Sequence, residues 1–243
     1  MERELIAGII GGMGPEATVD LMRHIIRLTP AAEDNDHIRC VVDNNAKIPS
    51  RVKALYENSG ISPAPALCDS ARRLEAYGVD FLIIPCNTAH YYYEDVRDVV
   101  SIPVLNILDI AVDASKARLP QLGRIGLLAT TATVKTGLYK ERFTRAGVEL
   151  ITPDDERQAE TLALINAIKA GHTGPEQRGE LARLASWLGE HGAEAVVLGC
   201  TELGLVSDGV TDQTGIPLID TVIELARATV TRVKGRTTEG ADS

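Results

Sequence analysis

Two short apolar runs, residues 81–84 and 195–198, stand out in the pattern of hydrophobic and polar positions. Runs of this length and composition are typical of strands buried on both faces of a parallel sheet. Each run is followed within two residues by a cysteine, Cys86 or Cys200, and then by small hydrogen-bonding residues. Because ligands bind at the carboxyl ends of parallel strands, we predict a functional site at these two cysteines.

The two runs belong to a longer repeat. Three pairs of residues keep the same separation of 114 positions (for the cysteines, 200 − 86): Gly78 and Gly192, Cys86 and Cys200, Pro103 and Pro217. A constant offset indicates internal duplication. We therefore predict an α/β fold of two similar lobes related by a pseudo-twofold axis. Each lobe is expected to be a mostly parallel sheet flanked by helices, with the active site in the cleft between them.

Strand and helix patterns alternate along both halves. We predict the first lobe to comprise residues 1–107 plus 218–243, with its last helix crossing back from the second lobe, and the second lobe to comprise 108–217. The predicted strands are 5–10, 37–42, 79–84 and 102–107 in the first half and 125–129, 148–151, 193–198 and 217–220 in the second. The main predicted helices are 19–28, 51–58, 66–77, 87–99, 137–146, 156–169, 175–190 and 221–234. Residues after 235 are small and polar, and we expect them to be frayed.

Composition narrows the class of protein. The 243 residues are 44% hydrophobic with a net charge of −9, which suits a globular protein and disfavours nucleic acid or an anionic membrane as the main partner. The four cysteines lack the close spacing of a disulfide framework, a zinc ribbon or a redox CxxC motif. The amino terminus does not resemble a signal peptide, and no segment approaches membrane-spanning length. We expect a cytoplasmic protein.

Three further segments carry candidate chemistry. The glycine-rich turn 11–18 can hold an anion, but it lacks the full dinucleotide fingerprint and the P-loop lysine, so nucleotide binding is disfavoured; a plain tight turn is the alternative. The polar loop 43–51 ends in Arg51, whose guanidinium suits a carboxylate, although a lone surface arginine would look the same. Thr130 and Thr133 occupy the corresponding turn of the second half. Cys40 and Cys68 fit core positions.

These motifs resemble the aspartate/glutamate racemase superfamily, and within it the aspartate racemase branch. The matching stretches are residues 11–15, 48–51, 86–90, 129–139 and 199–202. The glutamate racemase branch typically has an acidic residue where this chain has Met13 and a histidine where it has Glu202. Asn45 and Ala132 also depart from the pattern, close to the expected substrate pocket.

The resemblance implies cofactor-independent inversion at an amino acid α-carbon by Cys86 and Cys200, without a metal, on aspartate and/or glutamate or a broader set of amino acids. Racemisation needs a base on one face of the carbon and an acid on the other. A thiol pKa of about 8.5, lowered at helix N-termini, allows one thiolate to face one thiol. Because relatives often form homodimers, the resemblance also implies a homodimer. The implied substrate-binding residues are Met13, Pro49, Ser50, Arg51, Asn87, Thr88, Ala89, Thr130, Thr133, Lys169, Thr201 and Glu202; for Lys169, a solvated helix end is an equal alternative.

Other functions stay open on the sequence. The resemblance also includes superfamily members that act as maleate isomerases or malonate decarboxylases through one or both of the same cysteine positions, and assays with those dicarboxylic acids separate the possibilities. A non-catalytic two-lobed amino acid binding protein would bind its ligand without exchanging the α-hydrogen. Zinc on Cys86, Cys200 and His90 is disfavoured, because catalytic zinc sites usually draw two ligands from one short motif.

Overall fold

The computed structural model describes residues 4–57 and 60–235 and contains two parallel sheets. The first sheet has the order β2-β1-β3, formed by β1 (Ala7–Gly11), β2 (Cys40–Asn44) and β3 (Phe81–Ile83). The second has the order β5-β4-β6-β7, formed by β4 (Arg124–Leu128), β5 (Glu149–Ile151), β6 (Ala195–Leu198) and β7 (Leu218–Asp220). All pairings are parallel, which confirms the predicted α/β class.

Helices connect the strands in both halves. The first half contains α1 (Pro15–Leu28), α2 (Arg51–Leu55), α3 (Ala64–Tyr77), α4 (Tyr93–Arg97) and α5 (Ile107–Arg118). The second contains α6 (Thr131–Lys135), α7 (Leu138–Arg145), α8 (Asp155–Lys169), α9 (Pro175–Glu190), α10 (Val210–Thr214) and α11 (Thr221–Lys234). Short 3-10 segments cover Asp34–Asp36, Thr88–Tyr92 and Leu203–Val206.

The duplication is visible in the register of the two sheets. Leu82 pairs with Gly8 on one side and with Val104 on the other. Val196 and Leu218, which lie 114 residues after Leu82 and Val104 (196 − 82 and 218 − 104), also pair with each other, and Val196 pairs on its other side with Gly126 of β4. The two sheets therefore repeat the same sequence of neighbours around their central strands.

Some predicted boundaries were wrong. The predicted strand 102–107 is reduced to a single bridge at Val104, because Asn106 caps a helix that begins at Ile107. The predicted helix 87–99 is divided into Thr88–Tyr92 and α4, and the turn predicted around Thr130 is followed at once by α6. The helix predicted for 51–58 ends at Leu55; residue 58 and the expected frayed tail after Gly235 lie outside the described residues.

Alternate side chains of the central strands enter different cores. Phe81 and Ile83 of β3 and Val197 of β6 belong to one cluster that lies between the two sheets and includes residues of α5 and α11. Leu82 faces the helices that cover the outside of the first sheet, and Val196 faces those that cover the second. Both faces of each sheet are buried, as expected for parallel sheets, and the shared inner core joins the two halves.

The division into lobes at 1–107 with 218–243 and at 108–217 stays a prediction, with one detail that differs. Leu218–Asp220 pairs with β6 and so lies in the second sheet, whereas the prediction assigned it to the first lobe. Helix α11, which follows directly, packs against α1 and α5. The chain therefore crosses from the second sheet to the helices of the first half at Thr221.

Candidate active site

The carboxyl ends of β3 and β6 open onto one cavity. It encloses about 350 Å³ of empty space, a figure that includes the open solvent at its mouth. Eleven of the predicted site residues line it: Met13, Ser50, Arg51, Cys86, Asn87, Thr88, Thr130, Lys169, Cys200, Thr201 and Glu202. Sequence reasoning did not single out the twelfth lining residue, Val52. The two halves of the chain thus contribute to one site.

Both candidate catalytic thiols lie just beyond a strand. Cys86 follows β3 by three residues and Cys200 follows β6 by two. Each is only 6% exposed, and both are free cysteines. Because the two strands occupy equivalent places in duplicated sheets, their ends deliver one thiol from each half to the cavity wall.

A buried histidine holds the backbone at Cys86. His90 Nδ1 lies 2.9 Å from the carbonyl oxygen of Cys86, and His90 Nε2 accepts a hydrogen bond from the amide of Ile107 at 3.1 Å. These partners fix a neutral ring with its proton on Nδ1. Burial lowers the pKa of His90 to about 4, so the ring stays neutral near pH 7. His90 therefore stabilises the loop after Cys86, and it does not line the cavity.

The surroundings of Cys200 contain a carboxylate. The Cys200 thiol donates to Glu202 Oε2 at 3.0 Å, and the Thr201 hydroxyl donates to the same oxygen at 3.4 Å. Burial, together with the negative charge of Glu202, raises the pKa of Cys200 well above its usual value, although Lys169 opposes the shift. Cys200 is therefore held as a thiol in this arrangement.

Three threonine hydroxyls form a closed hydrogen-bonded triangle at the junction of the two halves. Thr88 Oγ1 lies 3.1 Å from Thr130 Oγ1 and 2.8 Å from Thr133 Oγ1, and the last two are 3.0 Å apart. Thr130 also caps α6 by accepting from the amide of Thr133. Thr88 and Thr130 line the cavity, whereas Thr133 lies behind them.

Two cations line the cavity, one from each half. Arg51 begins α2, and its Nη1 donates to the carbonyl oxygens of Ile48 and Pro49, at 3.3 and 2.9 Å. Lys169 ends α8, with its Nζ 3.8 Å from Glu202 Oε1. Burial lowers the pKa of Lys169, but its electrostatic interactions with Cys200, Glu202 and Cys86 more than offset this effect, so the pKa is raised. The Lys169 side chain lines the cavity and is 38% exposed, so its role in substrate binding stays a prediction.

The structure does not bring three predicted binding residues to the cavity: Pro49, Ala89 and Thr133. Ala89 is fully buried in the outer core of the first half, because the 3-10 turn after Asn87 directs it inward. Pro49 contributes its carbonyl oxygen to the orientation of Arg51. In the glycine-rich turn, the amide of Gly12 donates to Thr18 Oγ1 at 2.9 Å, so that amide is already used.

A second, larger hollow of about 1080 Å³ adjoins the cavity and shares Arg51, Lys169 and Glu202 with it. It also includes Gly14 and Leu205. These three charged residues therefore lie between the small cavity and the larger hollow.

In ranges 4–57 and 60–235, no three His, Cys, Asp or Glu side chains come together in a cluster that could hold a metal ion. Across the same ranges, every helix is too short or too polar to span a lipid bilayer.

The structure is that of a two-lobed α/β protein in which two equivalent strands each end near a cysteine thiol on one cavity. Comparisons with known proteins identify the family to which the chain belongs. The chain belongs to the Asp/Glu/Hydantoin racemase family, whose sequence profile matches residues 10–229. Enzymes of this family are isomerases.

Individual relatives agree with this assignment. The chain is 30% identical over 228 residues to the broad specificity amino-acid racemase RacX of Bacillus subtilis strain 168, covering 92% of this chain and 96% of that protein. It is similar to the solved Picrophilus torridus aspartate racemase, with a TM-score of 0.85, 30% identity and 96% of each chain covered. Francisella tularensis glutamate racemase in complex with D-glutamate shares the fold, with a TM-score of 0.67, 18% identity and coverage of 98% and 86%.

Proposed function

We propose that this protein is a cofactor-independent amino acid racemase that interconverts the L and D enantiomers of aspartate and/or glutamate. Cys86 and Cys200 are the two groups that exchange the α-proton. The observation that carries the proposal is the placement of both thiols on one small cavity, each at the end of an equivalent strand.

Each of the two sulfur atoms performs one half of the proposed proton exchange. One cysteine, as the thiolate, takes the α-proton from one face of the substrate, and the other, as the thiol, gives a proton to the opposite face. The product leaves with inverted configuration, and thiol and thiolate have exchanged places. The reverse reaction uses the same two groups in opposite roles, so both directions need both cysteines.

The charges around the cavity favour an anionic amino acid. Arg51 and Lys169 are opposed by one carboxylate, Glu202. Arg51 Nε and Glu202 Oε1 are buried without a hydrogen-bond partner among the described residues, and buried polar atoms normally have one. A zwitterion with a second carboxylate supplies an acceptor for Arg51 and a donor for Glu202. Thr88, Thr130 and Thr201 also line the cavity, and a hydroxyl that exchanges its present partner for the substrate would stabilise the charge developing on the α-carboxylate.

The proposal is tested by a chiral assay of the purified protein, dialysed against a chelator and free of pyridoxal phosphate. Each enantiomer of aspartate, glutamate and a panel of neutral and basic amino acids is incubated separately, and the opposite enantiomer is quantified by chiral chromatography. We expect the acidic amino acids to racemise fastest.

Further measurements on the same purified protein separate the alternatives. Conversion of maleate or a substituted malonate, with no racemisation of any amino acid, would replace the proposal by another reaction of small dicarboxylic acids. Calorimetric binding of an amino acid with no inversion would indicate a binding protein. We also expect a homodimer, to be measured by light scattering.

A further inference from the structure

Two buried side chains outside the cavity hold the residue that follows Cys86. Tyr139 Oη donates to Asn87 Oδ1 at 2.5 Å, and Asn87 Nδ2 donates to Thr221 Oγ1 at 3.0 Å. We propose that Tyr139 and Thr221 are positioning residues that act through Asn87 and fix the loop after Cys86 against the loop around Cys200. This inference rests on the proposed two-thiol racemisation.

The hydrogen-bond directions along this network are determined by its last member. Thr221 Oγ1 also lies 3.0 Å from the carbonyl oxygen of Leu198, which can only accept. The single hydroxyl proton of Thr221 is therefore used on Leu198, and the amide nitrogen of Asn87 must be the donor to Thr221. The amide oxygen of Asn87 is then on the other side, where it accepts from Tyr139. One orientation of the Asn87 side chain satisfies every partner.

Both positioning residues also contact the segment that leads to Cys200. Leu198, which accepts from Thr221, is the last residue of β6 and precedes Cys200 by two positions. The ring of Tyr139 lies against Gly199: a Cβ placed there would come within 3.3 Å of Tyr139 Cε2 and 2.6 Å of Leu127 Cδ1. Glycine at 199 thus allows the ring to support the backbone beside Cys200.

The network is dry, and its donors persist over a wide pH range. Tyr139 has no exposed surface, and Asn87 and Thr221 are each 1% exposed. Burial raises the pKa of Tyr139 far above its usual value, so its hydroxyl keeps its proton. An unpaired polar group in such surroundings is costly. The network uses one of the two amide hydrogens of Asn87, which leaves the other for a substrate oxygen at the cavity.

The separation of the two thiols matters because each must reach the same α-carbon from opposite faces. Displacement of a reacting group by about 1 Å can lower a rate roughly 100-fold. Asn87 is adjacent to Cys86 in the chain, and Leu198 and Gly199 directly precede Cys200. Loss of either hydroxyl therefore loosens the connection between the two catalytic loops without removing a catalytic group.

A matched pair of substitutions at Thr221 separates positioning from packing. Thr221→Val keeps the shape and removes the hydroxyl, whereas Thr221→Ser keeps the hydroxyl and removes a methyl group. We expect Thr221→Val to lower kcat roughly 10- to 100-fold, with a smaller change in KM, and Thr221→Ser to stay within about threefold of wild type. The opposite order, with valine active and serine impaired, would mean that Thr221 only fills space and would overturn the inference.

Tyr139→Phe extends the test to the other side of Asn87 and replaces Thr221→Val if that variant does not fold. It keeps the ring beside Gly199 and removes only the hydroxyl, so a similar fall in kcat is expected. If both residues act through Asn87, Tyr139→Phe should have little further effect in an Asn87→Ala background. A full, additive loss in that background would contradict the proposed role.

A readout that does not depend on racemisation completes the experiment. Wild type and the variants are alkylated with iodoacetamide under native conditions, the labelled peptides containing Cys86 and Cys200 are quantified by mass spectrometry, and thermal unfolding is measured in parallel. We expect faster labelling of Cys86 in Thr221→Val and Tyr139→Phe, and a rate close to wild type in Thr221→Ser. Unchanged labelling in the first two would refute positioning even if racemisation is present. Absence of racemisation in wild type would instead refute the proposed function, while the labelling series still decides the role of the network.

Discussion

The loops around Cys86 and Cys200 start from the same backbone arrangement and differ in chemistry. Two residues after Cys86 stands Thr88, whose hydroxyl bonds to other hydroxyls. Two residues after Cys200 stands Glu202, whose carboxylate accepts from the thiol itself. The duplication has therefore preserved where the sulfur atoms lie but not their electrostatic surroundings. Under the proposed mechanism, two thiols in unequal electrostatic surroundings would carry out the two halves of one exchange.

A second pair of equivalent positions shows the same contrast. Asn106 caps α5 by accepting from the amides of Leu108 and Asp109. Asp220, which lies 114 residues later (220 − 106), caps α11 by the same pattern with Oδ1. Its Oδ2 is buried without a partner among the described residues. The first half thus has a neutral cap where the second half has a titratable one.

The largest expected effect tests whether both thiols are required. We expect Cys86→Ala and Cys200→Ala each to lower racemisation at least about 1000-fold in both directions, because the proposed mechanism assigns one of the two thiols to each face of the substrate. Cys40→Ala and Cys68→Ala are the matched controls, since both cysteines lie outside the cavity. Rates are measured by chiral chromatography and folding by circular dichroism. Substantial activity in the Cys86→Ala, Cys200→Ala double variant would exclude the mechanism.

The next prediction concerns Asp220→Asn, a substitution that gives α11 the same kind of neutral cap that Asn106 gives α5. Burial raises the pKa of Asp220 to about 6, from an ordinary value of 3.8. A carboxyl with a raised folded-state pKa contributes stability that is fully present below about pH 4 and is lost as the pH rises through about 6. Asp220→Asn keeps the side-chain oxygen that caps α11. Because an amide does not ionise in this pH range, the variant should not lose stability as the pH rises.

We therefore expect Asp220→Asn to gain stability relative to wild type between pH 4 and pH 7, by up to about 3 kcal/mol. The measurement is urea unfolding at several pH values. Asn106→Ala, a change at the equivalent cap, should instead cost about 1 kcal/mol at every pH. A stability difference between Asp220→Asn and wild type that does not vary with pH would contradict the account of this cap.

The two cations can be compared in the same way, since Arg51 comes from the first half and Lys169 from the second. Lys169→Met removes a charge beside the cavity while keeping the length of the side chain. We expect KM for aspartate to rise about tenfold, because one charge-assisted contact with a partly exposed cation is lost. Lys53→Met, at an exposed position on α2, is the control. Equal KM values for the two variants would leave Lys169 as a solvated helix end.

The smallest predicted effect concerns Glu202. Its negative charge contributes to the raised pKa of Cys200, so Glu202→Gln should lower that pKa and increase the thiolate fraction at pH 8. We expect Cys200 to be alkylated several-fold faster in this variant. Glu180→Gln, at an exposed position on α9, should have no effect. Slower or unchanged labelling of Cys200 would show that Glu202 does not control the proton on the thiol.

The local pattern and the repeat predicted the backbone well. The constant offset between Cys86 and Cys200 reflects equivalent strands in two sheets, and it predicts that both thiols lie at the cleft. The same reasoning failed at residues 102–107, because the capping side chain of Asn106 starts a helix where apolar residues suggested a strand. The assignment of β7 to the first lobe differs from its pairing with β6 in the second sheet, and the division into lobes itself stays a prediction.

The supporting contacts of the site depend on long-range geometry. Tyr139 meets Asn87 across 52 positions and Thr221 meets it across 134, and no periodic pattern encodes such pairings. Ala89 and Thr133 belong to matching motifs but lie behind the cavity, because the short helices that carry them turn these side chains away. Motifs therefore identified the segments, whereas packing decided which side chains reach the substrate.

The most direct test of the two-thiol account is racemisation of L-aspartate in deuterium oxide, followed at low conversion by proton NMR and chiral separation. Because one cysteine removes the proton and the other delivers a deuteron, we predict that the D-aspartate formed carries deuterium at the α-carbon while the recovered L-aspartate keeps its proton. The mirror result is predicted when the reaction starts from D-aspartate. Rapid deuteration of the starting enantiomer would indicate a single base serving both faces, and it would contradict the roles assigned to Cys86 and Cys200.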